Sequence, residues 1–212
     1  MRHVIWDWNG TLADDLPVVI DAVNVSLAAV GEQPIEAEDY RNHYTRPVRE
    51  FYNRLLARPI SDAEWSTIDN TFHKTYVDWL DRVPLARDAE EAINRIRAAG
   101  AIQSILSMWW HDDLVPEVRR HGIHDAMVRI DGNTEDAGES KARLLEFHLE
   151  ALQANGSAVM IGDAIDDAEA AKAVGVPIIM YDGGSHHWEE LEALQLPIAG
   201  SLVEAVEKAL SL

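Results

Sequence analysis

The residues able to do chemistry in this chain are Asp7, Asn9, Ser107, Lys141, Asp163 and Asp167. Asp7 follows the apolar run Val4-Ile5-Trp6, which places a carboxylate at the end of a predicted strand, where open α/β sheets put their ligands. Gly10-Thr11 after it reads as a tight turn. Ser107 closes Ile105-Leu106-Ser107, Lys141 opens a helix that Ser140 can cap, and Asp163 and Asp167 follow Val159-Met160-Ile161-Gly162. A carboxylate nucleophile, a hydroxyl, a lysine and a pair of further carboxylates are the parts of phosphoryl transfer through an aspartyl-phosphate. Two anions must meet in that reaction. Mg²⁺, held by carboxylate oxygens, supplies positive charge, and the lysine and hydroxyl hold the remaining phosphoryl oxygens.

These residues need strands that end side by side. From about Val83 the sequence alternates: helix from Asp88 to Gly100, strand Ala101 to Ser107, helix Asp112 to His121, strand Met127 to Asp131, helix Ser140 to about Ala154. Strand Ala158 to Gly162, helix Asp166 to Val174 and strand Val176 to Tyr181 follow. Asp88-x-x-Glu91 and Asp166-x-x-Glu169 read as helix-capping pairs. Such alternation predicts a parallel sheet covered on both faces. From Leu16 to about Leu80 the texture is helical throughout, with Ser61-x-x-Glu64 opening a long helix. The expected organisation is an α/β core from residues 1–14 and 83–212, with a helical block, 15–82, inserted after the first strand.

In that order and at those strand ends, Asp7-x-Asn9-Gly10-Thr11, Ser107, Lys141 and Gly162-Asp163-x-x-x-Asp167 resemble the four motifs of the haloacid dehalogenase-like hydrolase superfamily. The helical block resembles the cap of its phosphoglycolate phosphatase-like members. The resemblance implies a Rossmann-like α/β fold with a helical cap that opens and closes over the site. It implies Asp7 as nucleophile and Mg²⁺ held by Asp7, the main-chain carbonyl of Asn9 and Asp163, with Asp167 beside or behind the metal. Ser107 and Lys141 would bind the transferred phosphoryl group of a small phosphorylated metabolite.

The departure is Asn9, where the family carries an aspartate that protonates the leaving group and later activates water. An amide donates a hydrogen bond but exchanges no proton at useful pH. Three readings follow: a substrate whose leaving group needs no acid, a substitute such as His43 or His111, or a protein that binds phosphate and Mg²⁺ but turns over poorly. Relatives that cleave carbon–halogen or phosphorus–carbon bonds also lack an acid there. The latter need a cap lysine, and the only one here, Lys74, falls inside the predicted long helix.

Around this centre, Thr11, Met108 and Trp109 are candidate substrate contacts, and Arg46 and Arg49 are candidate clamps for an anionic group. Each also has a plain reading, as turn, core filler or solvated helix start. His186-His187-Trp188 reads as a surface turn and helix start, since adjacent residues on a helix do not face together.

Composition narrows the classes. Lys plus Arg is 18 against 37 Asp plus Glu, a net charge of −19, which repels nucleic acid unless arginines form a local basic patch. There is no cysteine, so neither disulfides nor thiolate metal sites arise. No Gly-rich dinucleotide fingerprint follows a strand. With no apolar run of membrane-spanning length, and Met1-Arg2-His3-Val4 running straight into the first strand, a cytoplasmic enzyme is expected, monomer or homodimer.

Overall fold

The computed structural model describes residues 2–134, 140–153 and 157–212; Met1 and the predicted helix end at Ala154 lie outside them. The chain divides into two compact units. The first comprises Met1–Asp14, Leu85–Gly184 and Trp188–Leu212; the second comprises Asp15–Pro84 and Ser185–His187.

The first unit is a six-stranded parallel sheet. Its strands are β1 (His3–Trp6), β2 (Ile102–Trp110), β3 (Ile130–Asn133), β4 (Ala158–Gly162), β5 (Ile178–Tyr181) and β6 (Ile198–Ala199), in the order β3-β2-β1-β4-β5-β6. β1 and β4 are buried along their whole length, as strands covered on both faces must be. The order places β1 between β2 and β4, so their carboxyl ends are neighbours. Trp6 pairs with both Ile105 and Ile161, which brings the residues just beyond them, Asp7, Ser107 and Asp163, to one edge of the sheet.

Among the described residues this unit holds, before β6, the helices α5 (Ala89–Ala98), α6 (His111–Arg120), α7 (Lys141–Leu152), α8 (Ile165–Val174) and α9 (Trp188–Ala193). The last, α10 (Leu202–Ser211), follows β6. Alanine-rich α8 and the leucines of α7 pack on one face of the sheet with Ile5, Leu106 and Met160. The second unit holds α1 (Leu16–Ala29), α2 (Ala37–His43), α3 (Val48–Leu55) and α4 (Asp62–Asp78) around Leu27, Phe51, Tyr52 and Ile68. Ser61 and Glu64 cap α4 reciprocally, as their spacing predicts.

Several boundaries differ from the sequence reading. β2 does not end at Ser107 but runs to Trp110, past a register irregularity against β3. β3 begins at Ile130, although Val128 already donates to the Gln103 carbonyl. Asp88 does not cap α5; its carboxylate accepts from the Val203 amide in the first turn of α10. Asp166 does not cap α8 either, because Asp167 accepts from the Ala164 amide. His186 is no surface turn: it is 6 % exposed and meets Tyr44 edge-on, within the helical unit. Tertiary partners decide each of these, and adjacent-residue patterns do not see them.

Candidate active site

The loop after β1 folds back on itself. Gly10 and Thr11 turn the chain, with the Ala13 amide bonded to the Trp8 carbonyl at 2.9 Å and the Gly10 amide to the Ala13 carbonyl at 3.0 Å. Gly10 has φ +73°, and a side chain there would come within 2.5 Å of the Asp163 carboxylate. A methyl group at Gly184 would collide with the same carboxylate from the other side. Glycine at both positions is what lets the backbone approach Asp163. The Gly183-Gly184 pair after β5 was the available signal, and it reads equally well as an ordinary turn.

Asp7, Asp163 and Asp167 converge, each offering a carboxylate oxygen within 4.8 Å of the others. All are buried, at 5 %, 1 % and 0 % exposure. Lys141 Nζ donates to Asp7 Oδ1 at 2.7 Å and forms an ion pair with Asp167. Its position at the start of α7 follows from Ser140, whose hydroxyl accepts from the Arg143 amide. Thr11 is fully buried and donates to Asp163 Oδ1 at 3.0 Å. It therefore orients the acid, where the sequence reading made it a substrate contact.

Electrostatics follow from this crowding. Burial pushes the Asp7 carboxyl up to about 6, with Lys141 opposing the rise and Asp163 adding to it. Burial alone would discharge Lys141, but Asp167 and Asp7 outweigh it and hold the ammonium well above its ordinary range. Asp167 is raised, first by burial and then by Asp7 despite Lys141. Three carboxylates face one ammonium, an excess of two negative charges when all are ionised. A buried all-oxygen cluster with that excess fits a hard divalent cation such as Mg²⁺.

Asn9 is half-buried next to these groups. The Ser107 hydroxyl accepts from the Trp109 amide at 3.1 Å and lies 3.4 Å from Asn9 Oδ1, toward which it donates. The amide oxygen therefore faces Ser107. Met108 and Trp109 are partly buried on β2, Met108 against the apolar core of the α/β unit. A cavity of about 460 Å³ opens beside the loop, with Gly10 and Asp14 on its wall together with Arg87, Asp88 and Tyr181. Arg87 and Tyr181 had no motif to mark them.

Several other candidates have partners of their own. Arg49 donates to the Ile60 carbonyl and to Asp62 inside the helical unit, and Arg46 precedes Pro47 there. Lys74 lies exposed on α4, paired with Asp78 at 2.5 Å, without the desolvation that activates a Schiff-base lysine. His43 bonds the Asp39 carbonyl, and the His111 ring accepts from the Gly132 amide.

The sequence model of the haloacid dehalogenase-like hydrolases matches residues 1–175. The chain belongs to that family. Among curated relatives it is 24% identical over 196 residues to a phosphoglycolate phosphatase of Synechococcus elongatus, covering 91% of this chain and 89% of the relative. It is 25% identical over 221 residues to one of Mesorhizobium japonicum, covering 95% and 96%. The phosphoglycolate phosphatase-like character of this family member rests on these relatives. Among solved structures, a haloacid dehalogenase-like hydrolase from Streptococcus pneumoniae superimposes with a TM-score of 0.86 at 18% identity, covering 98% of each chain. CbbY from Rhodobacter sphaeroides in complex with phosphate gives 0.77 at 20% identity over 100% of both. These neighbours share the α/β fold. No helix among the described residues is long and apolar enough to cross a membrane.

Proposed function

We propose that the protein is a Mg²⁺-dependent phosphatase of a small phosphorylated metabolite, acting through an aspartyl-phosphate on Asp7. The observation that carries this reading is the buried Asp7 carboxylate bonded to Lys141 at 2.7 Å inside a cluster of two further acids. Asp7, Asp163 and the Asn9 carbonyl would hold the metal, with Asp167 beside or behind it. Bound there, the cation would offset the negative charge of phosphate and carboxylate as they approach.

The chain's own residues do the rest. The Asp7 oxygen attacks phosphorus as the bond to the leaving oxygen breaks, and that oxygen departs with the electron pair. Lys141 and Ser107 hold the phosphoryl oxygens; Asp167 and Asp7 keep Lys141 charged before attack, and Asp167 with the phosphoryl oxygens keeps it so once Asp7 carries the phosphoryl group. Water then attacks phosphorus, releasing phosphate and restoring Asp7. The Asn9 amide can donate a hydrogen bond to the leaving oxygen, but not a proton. Phosphoglycolate, the substrate named for the curated relatives, is the first compound to assay, and acyl phosphates, whose leaving groups need no acid, are the second.

Asn9 also supports a second reading, in which the site binds phosphate and turns over slowly. Steady-state hydrolysis of both substrate types with Mg²⁺, comparing the native chain with Asn9→Asp, separates the two. General acid–base help is worth about 10²–10⁴-fold, so the slow-binder reading expects a gain of that size from Asn9→Asp. Native turnover of acyl phosphates without such a gain supports the phosphatase. Inertness of both proteins, with Mg²⁺ and phosphate still bound, refutes it.

A further inference from the structure

One buried polar chain plays no part in the mechanism above. His3 Nε2 lies 2.8 Å from Ser104 Oγ, Ser104 Oγ lies 2.7 Å from His148 Nε2, and His148 Nδ1 lies 2.7 Å from Asp131 Oδ2. Arg129 pairs with the same Asp131 oxygen. His3, Ser104 and His148 are buried to 1 %, 0 % and 0 % exposure. The order serine, histidine, aspartate is that of a hydrolytic triad. With the serine hydroxyl sealed in the core between two imidazoles, no substrate can reach it.

The donors nevertheless run in one direction. An ionised Asp131 accepts from His148 Nδ1–H, which leaves Nε2 as an acceptor for the Ser104 hydroxyl. Ser104 Oγ then accepts from His3 Nε2–H. Burial, with His148 alongside, holds His3 down to about 4, so it is neutral and suited to this role.

The position of the chain matters more than its resemblance to a triad. α7 buries Lys141, Leu144, Leu145 and His148, the stripe i, i+3, i+4, i+7. Lys141 at one end bonds Asp7, and His148 at the other bonds Ser104. β1 begins at His3 and runs directly into Asp7, and β2 carries Ser104 followed by Ser107. Each of the three elements that supply the nucleophile and its phosphoryl-binding partners thus has a second polar anchor a few residues away. The buried positions of α7 between these anchors are Leu144 and Leu145, whose apolar packing is non-directional and tolerates sliding or rotation. Hydrogen bonds of 2.7–2.8 Å do not.

We propose that His148, Ser104 and His3 are positioning residues that fix the register of α7 against β1 and β2, and so the placement of Lys141 at Asp7. The proposal rests on the catalytic reading for its kinetic readout and on geometry alone for its structural one. Ser104→Ala removes one hydroxyl and little volume, breaking the chain at its centre. Misplacement of a catalytic group by about an ångström costs up to about 10²-fold, so kcat per folded molecule is expected to fall about tenfold or more while KM changes less than about threefold. A crystal structure of the variant should show Lys141 Nζ displaced from Asp7 by more than about 0.5 Å. Ile96→Ala, a cavity in α5 on the other face of the sheet, controls for lost stability. It should lower the melting temperature at least as far and leave kcat per folded molecule unchanged.

His148→Leu serves as a second variant and should repeat the kinetic loss. Ser104→Ala with unchanged kcat per folded molecule, or a kcat loss matched by Ile96→Ala, overturns the proposal. If the native protein hydrolyses no phosphate ester or acyl phosphate, the catalytic reading fails and the crystal structure decides. A Lys141–Asp7 distance still at 2.7 Å in Ser104→Ala overturns the proposal, and a displaced Lys141 upholds it.

Discussion

In the α/β unit, His3, Ser104, His148, Asp7, Lys141 and Asp167 are all buried, and each meets a polar partner. In the helical unit the interior is Tyr40, Phe51, Tyr52 and Ile68, with Trp65 and Phe72 packed against them. Its rings stack and tilt in series, Tyr44 on Tyr40, Tyr40 on Phe51, Phe51 on Tyr52. Its ion pairs, Arg49 with Asp62 and Arg58 with Glu32 and Glu64, lie toward solvent. Buried bonds from Tyr76 to Asp15 and from Ser26 to the Ala22 carbonyl, both at 2.8 Å, are exceptions. One unit thus adds to its apolar core a set of buried directional bonds that a small shift breaks. The other relies on rings and methyls, which repack when a neighbour changes at modest cost if volume is kept. Chemistry needs the first kind of order; a unit that changes with its substrate is better built from the second.

Asp7→Asn should break the α/β unit's function most severely. With its nucleophile gone, kcat should drop by on the order of 10³-fold or more in a phosphate-release assay, while circular dichroism shows the fold intact. Phe51→Ala tests the aromatic interior. Phe51 is 1 % exposed, and its loss should cost about 3–5 kcal/mol of unfolding free energy in urea. Phe51→Leu, which keeps most of the volume, should cost clearly less; an equal cost would mean that the ring stack is as exacting as the polar lattice.

The third test is specific to buried polarity. His3 titrates near 4 in the fold against 6.5 in the unfolded chain. Between these values the unfolded state binds more protons, so stability falls as pH drops from 6.5 toward 4. The loss attributable to this residue should reach roughly 2–3 kcal/mol near pH 4. It is read as the difference in pH dependence between the native chain and His3→Gln, and identical profiles would count against it. The smallest effect belongs to the helical unit's surface. Arg49 is paired with Asp62, but the acid is 93 % exposed, so Arg49→Ala should change stability by less than about 1 kcal/mol. A larger loss would show that surface ions matter there after all.

The sequence revealed what depends on local order. The strand ends carrying Asp7 and Asp163, the helix start at Lys141 and the capping of α4 by Ser61 all rest on spacing within a few residues. It missed what is settled across the sheet. The extension of β2 to Trp110 follows from pairing with β3, and the transfer of Asp88 from α5 to α10 follows from two helices packing together. The chain from His3 to Asp131 joins residues up to 101 positions apart, and no local period announces it. Thr11 looked like a substrate contact because it sits in the nucleophile loop; only the placement of Asp163 shows which way its hydroxyl turns.

Asp167 carries two duties at once. One oxygen accepts from the Ala164 amide and starts α8; the other faces Lys141. The residue that begins a helix is therefore also part of the site's charge balance, and the helix start cannot be removed without removing the charge. An asparagine there would keep an acceptor for the amide but remove the charge, and an alanine would remove both. For anyone redesigning this scaffold, the wall of the active site and the first turn of α8 are one specification, and the carboxylate is the term they share.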